Sequence, residues 1–172
     1  GRMIAYLKAE GEWENTLVVY TSDQGFFLGE HGWYDKRFMY EESLITPLLM
    51  KLPNSSTPTL NNDLAMNLDL APTILDYAGL TIPKEMQGVS LKPSIEGKGL
   101  DRKGQYYHYY EYPHGWHLVK KHYGVRTATH KLIHYYQDSD EWEMYDLQAD
   151  PKEMNNLYGI SSHKAIQEEL HQ

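Results

Sequence analysis

Thr16-Leu17-Val18-Val19-Tyr20-Thr21-Ser22-Asp23-Gln24-Gly25 is the segment from which the architecture is predicted. Its first five residues are apolar or β-branched and do not alternate with polar ones, which is typical of a strand covered on both faces. Residues 2–10 carry apolar side chains at helical spacing and end at Gly11, so a short amphipathic helix precedes the strand. A helix followed by a doubly covered strand predicts a parallel α/β sheet.

Polar residues follow this strand directly. Ligands of parallel α/β sheets collect beyond the carboxyl ends of the strands, and Ser22, Asp23 and Gln24 occupy that position here. Carboxylate and amide oxygens are the hard ligands that Ca²⁺ or Mg²⁺ prefers. Two ligands do not make a site, however, so taken alone these residues indicate either a metal site or an ordinary turn.

Two more elements are predicted in the first part of the chain. The apolar run at residues 46–52 indicates a second buried strand. Residues 68–79 favour a helix that Asp69 caps and Gly79 ends. The glycine-punctuated residues 26–43 show no clear period, and we interpret them as a long functional loop.

The chain changes character near residue 100, where tyrosines accumulate. Asp150-Pro151-Lys152-Glu153 is typical of a capping-box start to one helical turn, and residues 161–171 favour a closing helix. Short aromatic-rich runs separated by polar turns predict four antiparallel strands of a small sheet, at residues 105–113, 123–128, 132–136 and 143–147.

Composition excludes several classes of function. Of the 172 residues, 41% are hydrophobic and 23% charged, which is typical of a globular protein. The net charge of −8 argues against a nucleic-acid partner, because duplex binding depends on Lys and Arg neutralising phosphates. No apolar run approaches the roughly 20 residues that span a bilayer. The absence of cysteine removes disulfides and a Cys nucleophile, and it leaves the redox compartment open.

The order of motifs along the chain resembles the type I sulfatases of the alkaline-phosphatase-like superfamily. The strand end at residues 21–25 is followed by Leu28-Gly29-Glu30-His31-Gly32 and then by Asp35-Lys36-Arg37. Later segments similar to that family, in the same order, are Tyr40-Glu41-Glu42-Ser43, Asn67-Leu68-Asp69-Leu70-Ala71-Pro72-Thr73-Ile74-Leu75, Gln87-Gly88-Val89-Ser90-Leu91, Tyr145-Asp146-Leu147, Asp150-Pro151 and residues 153–157. The resemblance covers nearly the whole chain.

This resemblance implies an α/β fold class. We expect part of an alkaline-phosphatase-like α/β/α sandwich, followed by a small antiparallel β-sheet subdomain with a C-terminal helix. The expected boundaries are residues 1–95 for the C-terminal part of the sulfatase α/β domain, 96–104 for a linker and 105–172 for the subdomain.

The resemblance also implies a Ca²⁺ site and a lysine side chain that binds the sulfate group of the substrate. Asp23 and Gln24 match the strand-end pair that completes the family's Ca²⁺ site; many members carry Asn or His at the second position, but Gln24 keeps an oxygen ligand. Lys36 matches the lysine that contacts the sulfate, which makes it a catalytic and substrate-binding candidate. Sulfate ester cleavage builds negative charge, and a divalent ion with an ammonium group stabilises it. Without the family spacing, Lys36 would be interpreted as a solvated loop lysine.

Other candidates in these motifs carry two interpretations each. His31, a catalytic candidate, either contacts substrate or orders the loop through its ring nitrogens. Arg37, a substrate-binding candidate, either pairs with Glu41 or Glu42 or meets the substrate, and the pairing is the safer prediction. The run from Tyr109 to His122 adds His117 and His122 as substrate-binding candidates, because aromatic and imidazole groups contact sugars; its tyrosines otherwise pack the small sheet.

The family's nucleophile is a formylglycine made from Cys or Ser in a Cys/Ser-x-Pro-x-Arg motif. The nearest match, Ser56-Thr57-Pro58-Thr59-Leu60, lacks the arginine, and the paired aspartates that supply the other metal ligands are missing. We therefore expect the C-terminal portion of a sulfatase, inactive alone, with an incomplete Ca²⁺ site and a partner in the remainder of the parent chain.

Among the sulfatases, Asp35-Lys36-Arg37 looks most like the enzymes that act on N-acetylglucosamine-6-sulfate in glycosaminoglycan or mucin glycans. A phosphonate or phosphate monoester hydrolase of the same superfamily and a non-catalytic carbohydrate-binding module are the alternatives. Export to a periplasmic, extracellular or lysosomal compartment is expected from the resemblance only.

Overall fold

The computed structural model describes residues 1–55, 57–114, 116–137 and 139–172. The chain forms two compact units, each built from two segments of sequence. The first unit comprises Gly1–Asp23 and Thr46–Leu100, and the second comprises Gln24–Ile45 and Asp101–Gln172. Residues 24–45 therefore group with the C-terminal segment. The division into a domain at 1–95, a linker at 96–104 and a subdomain at 105–172 stays a prediction. No helix in the described ranges has the length and apolarity needed to cross a membrane.

In its described residues, the first unit contains a two-stranded sheet and three α-helices. Its strands are β1 (Val18–Thr21) and β2 (Leu48–Lys51), which pair antiparallel with Val18 opposite Lys51. The prediction of a parallel neighbour is therefore wrong for this pair. Apolar β-branched residues favour a strand, but they carry no information on its direction.

Three helices accompany this pair, namely α1 (Arg2–Ala9), α3 (Leu70–Tyr77) and α4 (Lys92–Ile95). Both predicted helices exist, and Gly79 follows α3 with the positive φ that a helix end requires. Asp69 is the N-cap residue of α3, as predicted, but its side chain makes no capping hydrogen bond to this helix.

The Asp69 side chain is instead buried in the first unit. It accepts backbone N–H groups from Met66 at 2.7 Å and from Val89 at 2.9 Å. It thereby connects the turn before α3 with the segment that leads to α4.

The second unit is organised by a four-stranded antiparallel sheet, as predicted. Its strands follow the order of the chain, so each pairs with the next one. They are β3 (Gly104–Tyr109), β4 (His122–Thr127), β5 (His130–Tyr135) and β6 (Glu141–Asp146). The unit also contains the short helix α2 (Glu41–Leu44) and the predicted C-terminal helix α5 (Lys164–Leu170).

Both faces of this sheet carry apolar clusters. One face packs on the segment 24–45 in a cluster of Phe27, Met39, Tyr40, Ile133, Tyr135 and Tyr145. The other packs on α5, where Leu170 joins Leu132 and Met144. Gly124 permits the first of these contacts, because a Cβ there would meet the Leu132 carbonyl and the Met39 sulfur.

A buried cluster of charges ties α2 to the sheet and to the C-terminal segment. The fully buried Lys131 Nζ lies 2.8 Å from Glu41 Oε1 and 2.6 Å from Glu153 Oε1. Arg126 Nη2 lies 2.9 Å from the other Glu41 oxygen. Burial raises the pKa of Glu153. Burial also acts on Glu41, but Arg126 and Lys131 outweigh it and lower the Glu41 pKa.

Glu153 corrects the helical turn predicted at residues 150–153. Its backbone has φ of 52°, outside the helical region, and its carboxylate accepts the Glu41 N–H at 2.7 Å. Asp150 instead accepts the N–H groups of Met154 and Asn155 at 2.8 and 2.7 Å. The acidic spacing that resembles a capping box therefore belongs to a turn whose second carboxylate points into the core.

Replacing Lys131 by methionine tests the charge cluster. Lys131→Met keeps the apolar stem but leaves two buried carboxylates without the shared cation, so we expect the free energy of unfolding to fall by about 3–5 kcal/mol. Urea denaturation followed by tryptophan fluorescence measures this loss. Lys164→Met is the matched control, because Lys164 forms only an exposed pair with Glu168 and should change stability little. Equal stability of the two variants would contradict the prediction.

Candidate active site

Asp23 lies two residues after Thr21, the last residue of β1, and a side chain of the first unit fixes the backbone at this strand end. Asn67 Nδ2 donates to the Asp23 carbonyl at 2.7 Å and to the Ser22 carbonyl at 3.3 Å. The Asp23 side chain itself is exposed. Asn67 lies in the predicted family motif at residues 67–75, but sequence reasoning gave it no role.

Gln24 is oriented by hydrogen bonds to two groups of the second unit. Its Nε2 donates to the Lys36 carbonyl at 2.5 Å and to Ser43 Oγ at 2.9 Å. Because the Ser43 hydroxyl donates its own proton to the Lys36 carbonyl at 2.7 Å, its oxygen is the acceptor for Gln24. Both partners thus face the amide nitrogen, which leaves the amide oxygen for another group.

Tyr107 agrees with this orientation of Gln24. Burial raises the pKa of Tyr107 to about 12, and the adjacent Gln24 amide acts in the opposite direction, as a hydrogen-bond donor does. The Tyr107 hydroxyl donates to the Arg37 carbonyl at 2.9 Å. The sheet thereby holds the backbone next to Lys36.

The backbone of Lys36 is fixed on both sides. Its N–H donates to Asp35 Oδ1 at 2.5 Å, and its carbonyl accepts from Gln24 and Ser43. The residue is partly exposed. The predicted metal ligand Gln24 and the predicted sulfate-binding Lys36 are therefore joined by a direct hydrogen bond.

Asp35 brings two predicted substrate-binding residues together. Arg37 Nη1 lies 2.5 Å from Asp35 Oδ1, and His117 Nδ1 lies 3.3 Å from Asp35 Oδ2. Burial alone would raise the pKa of Asp35, but the Lys36 N–H and the Arg37 guanidinium outweigh it and lower that pKa. Asp35 is therefore an ionised carboxylate that contacts the Arg37 guanidinium through one oxygen and the His117 imidazole through the other.

The safer prediction for Arg37, a pairing with Glu41 or Glu42, is wrong. Arg37 pairs with Asp35 and approaches Glu111 Oε2 at 3.9 Å, because Glu41 is committed to Lys131 and Arg126. Sequence reasoning missed Asp35 as a site residue. Its position two residues before Arg37 was the available signal.

His31 packs inside the loop of the second unit. Its ring stacks on Tyr40 with centroids 4.3 Å apart and meets the edge of Phe27 at 6.0 Å. Its Nε2 lies 3.5 Å from Glu42 Oε2, and only 11% of its side chain is exposed. These contacts are those of a loop-ordering residue, and the catalytic role of His31 remains a prediction.

His122 lies in the core, which argues against its predicted contact with substrate. It is fully buried, with ring centroids 5.1–5.9 Å from Phe38, Tyr107, Tyr109 and Tyr135. Its Nδ1 lies 2.8 Å from the Lys120 carbonyl. Burial lowers its pKa to about 4, so the ring is neutral near pH 7.

The chemistry of Asp23 and Gln24 fits a hard divalent cation, since both offer oxygen donors. Across the described ranges, no three His, Cys, Asp or Glu side chains are grouped as a metal centre would need. The role of Asp23 and Gln24 as Ca²⁺ ligands remains a prediction.

The fold defines the class of protein. A solved structure in complex with its substrate D-glucosamine-2-N,6-O-disulfate is 54% identical and superimposes on all of the chain with a TM-score of 0.89, covering 36% of that structure. The phosphonate monoester hydrolase from Silicibacter pomeroyi is 28% identical over 99% of the chain and 36% of that structure, with a TM-score of 0.85. The α/β fold of the alkaline-phosphatase-like sulfatases is thereby confirmed.

Residues 29–172 match the family described as N-sulphoglucosamine sulphohydrolase, C-terminal, and the chain belongs to this family. It is 54% identical to the N-acetylglucosamine-6-O-sulfatase of Bacteroides thetaiotaomicron, over 100% of this chain and 32% of that protein. It is 31% identical to arylsulfatase K of Bos taurus, over 91% of this chain and 30% of that protein. The chain thus spans about a third of the length of these relatives.

The burial of His122 predicts a pH dependence of stability. The unfolded chain binds a proton at this residue near pH 6.5, whereas the folded chain does so only near pH 4. The free energy of unfolding therefore falls as the pH drops from about 6.5 to about 4, by about 3 kcal/mol over the whole range. Urea denaturation at pH 7, 5.5 and 4.5 measures it. In His122→Phe this part of the pH dependence should disappear, while His114→Ala, which alters an exposed histidine, should retain it.

Proposed function

We propose that this chain is the C-terminal part of a sulfatase that hydrolyses 6-O-sulfate esters of N-acetylglucosamine or a related glucosamine in a sulfated glycan. The observation that carries the proposal is the placement of Arg37 and His117 on the two oxygens of Asp35, next to Lys36. The 54% identity to an N-acetylglucosamine-6-O-sulfatase over the whole chain supports the choice of sugar.

In this proposal Lys36 binds the sulfate group of the substrate. Its ammonium group approaches a non-bridging sulfate oxygen, whose negative charge grows as the ester bond breaks. A Ca²⁺ ion bound by Asp23 and Gln24, together with ligands outside this chain, would add positive charge at the same oxygens. The fixed Lys36 backbone defines the point from which its flexible side chain reaches the sulfate.

The sugar ring is assigned to Asp35, Arg37 and His117. An ionised carboxylate accepts hydrogen bonds from sugar hydroxyls, while a guanidinium and an imidazole N–H donate to them. Arg37 and His117 each contact Asp35, so the three groups form a preformed set of donors and acceptors. Such a set distinguishes sugars by the positions of their hydroxyl groups, because an unmatched polar group is left unpaired.

The nucleophile and the cellular location are proposed from the family. The chain contains no cysteine, so a Cys-derived formylglycine would lie outside residues 1–172. Ser56, which begins the nearest serine match, lies outside the described residues. We infer an exported enzyme with the remainder of the parent chain as partner of these residues. Fractionation of producing cells with an antibody to this chain tests the location.

A phosphonate or phosphate monoester hydrolase is the second candidate. The fold similarity to the phosphonate monoester hydrolase from Silicibacter pomeroyi favours it. A full-length protein that carries this chain separates the two when assayed on N-acetylglucosamine-6-sulfate and on phenyl phosphonate esters. We expect kcat/KM to be higher for the sulfated sugar, and dominant phosphonate turnover would overturn the first choice.

Lys36→Ala tests the sulfate-binding residue in the full-length protein. Losing a cation that stabilises developing charge should lower kcat/KM for N-acetylglucosamine-6-sulfate about 10²- to 10³-fold. Ca²⁺ affinity, measured by calorimetry, should stay within about threefold of the parent protein, because the Lys36 carbonyl that accepts from Gln24 is retained in the variant. Lys8→Ala, in the exposed helix α1, is the control that should retain activity.

His117→Ala tests the sugar contact separately. We expect KM for N-acetylglucosamine-6-sulfate to rise about tenfold, while turnover of 4-nitrophenyl sulfate, which has no sugar ring, stays near the parent value. His114→Ala is the matched control, because this exposed histidine lies three residues before His117. An equal loss on both substrates would show that His117 acts on the shared sulfate chemistry and not on the sugar.

A further inference from the structure

The Ser43 hydroxyl is a buried group with two hydrogen bonds, both to predicted site residues. It donates to the Lys36 carbonyl at 2.7 Å and accepts from Gln24 Nε2 at 2.9 Å, and the side chain is fully buried. The amide of glutamine has an oxygen end and a nitrogen end of similar shape, so its partners determine which end faces a ligand. Two acceptors on one side hold the nitrogen there.

The backbone of Ser43 fixes the next residue as well. The Ser43 carbonyl accepts the Gly25 N–H at 2.9 Å. A Cβ at Gly25 would collide with the Glu42 carbonyl, so only glycine permits this approach. The segment that carries Gln24 is therefore held against α2 through both backbone and side chain.

The position of α2 depends on the buried charges. Glu41, the first residue of α2, donates its N–H to Glu153 and places its carboxylate between Lys131 and Arg126. Ser43 lies two residues further along the same helical turn. A rigid core cluster thus sets the position of the hydroxyl that contacts Gln24.

We propose that Ser43 is a positioning residue for the divalent cation, because it holds the Gln24 amide with its oxygen turned toward the cation. The proposal rests on the proposed function in so far as Gln24 is taken as a cation ligand. Groups that orient a metal ligand commonly change metal affinity by 10- to 100-fold when removed.

Calcium titration of the full-length protein tests this role. After removal of metal with a chelator, calorimetry gives the Ca²⁺ dissociation constant of the parent protein, Ser43→Ala, Gln24→Leu and the double variant. We expect Ser43→Ala to weaken binding about tenfold and Gln24→Leu to weaken it further. Ser43 acts through Gln24, so the double variant should bind as Gln24→Leu does.

Ser94→Ala separates positioning from general stability. Ser94 is also a buried serine with two side-chain hydrogen bonds, to Asn61 and Asp63. Ser94→Ala and Ser43→Ala should both lower the thermal midpoint in chelator, whereas only Ser43→Ala should change Ca²⁺ affinity. Ser43→Cys keeps a polar S–H group in a slightly larger side chain with weaker hydrogen bonds, and intermediate affinity is expected for it even if Ser43→Ala does not fold.

The outcomes distinguish the two proposals. Parent-like Ca²⁺ affinity in Ser43→Ala and Ser43→Cys, with weak binding in Gln24→Leu, would overturn the role of Ser43 alone. A further tenfold loss in the double variant would also overturn it, because Ser43 would then act independently of Gln24. Parent-like affinity in Gln24→Leu would overturn the cation assignment itself, and with it the role of Ser43.

Discussion

The buried ammonium group of Lys131, shared by the carboxylates of Glu41 and Glu153, is the interaction on which the second unit depends. Charges removed from water must be paired, because an unpaired one costs several kcal/mol. Three parts of the chain are therefore constrained together, namely α2, β5 and the turn at residues 150–153. Glu41 and Glu153 are 112 positions apart, so this constraint defines the tertiary fold and not a local structure.

The positions of the predicted site residues in the second unit depend on this buried charge cluster. The segment 24–45 contains little regular structure, yet it carries Gln24, His31, Lys36 and Arg37. Three features fix its geometry: the helix α2, the hydrogen bond from the Gly25 N–H to the Ser43 carbonyl, and the packing of Phe27 and Met39 on the sheet. A functional loop obtains its precision in this way, through a rigid scaffold beneath it and not through its own hydrogen-bonding pattern.

The fold supports more than one reaction. Solved structures similar to this chain include a protein in complex with a disulfated glucosamine and a phosphonate monoester hydrolase. A lysine and a divalent cation suit either a sulfate or a phosphonate group, since both develop negative charge on oxygen. Under the proposed function, the distinction comes from the groups that meet the rest of the substrate, and Asp35, Arg37 and His117 are proposed for that role.

The sequence by itself determined the family, the four strands of the small sheet, α3 and the closing helix, because motif order, aromatic runs and terminal signals are local properties of the chain. Only the tertiary structure decided which charged groups pair and which polar residues are buried. The sequence pattern around Glu153 predicted a helix start, but its carboxylate is buried beside Lys131. Arg37 pairs with Asp35, because Glu41 pairs with Lys131 and Arg126. The burial of His122 and the antiparallel pairing of β1 with β2 were decided in the same way. Such outcomes depend on competition among residues distant in sequence, which no local pattern records.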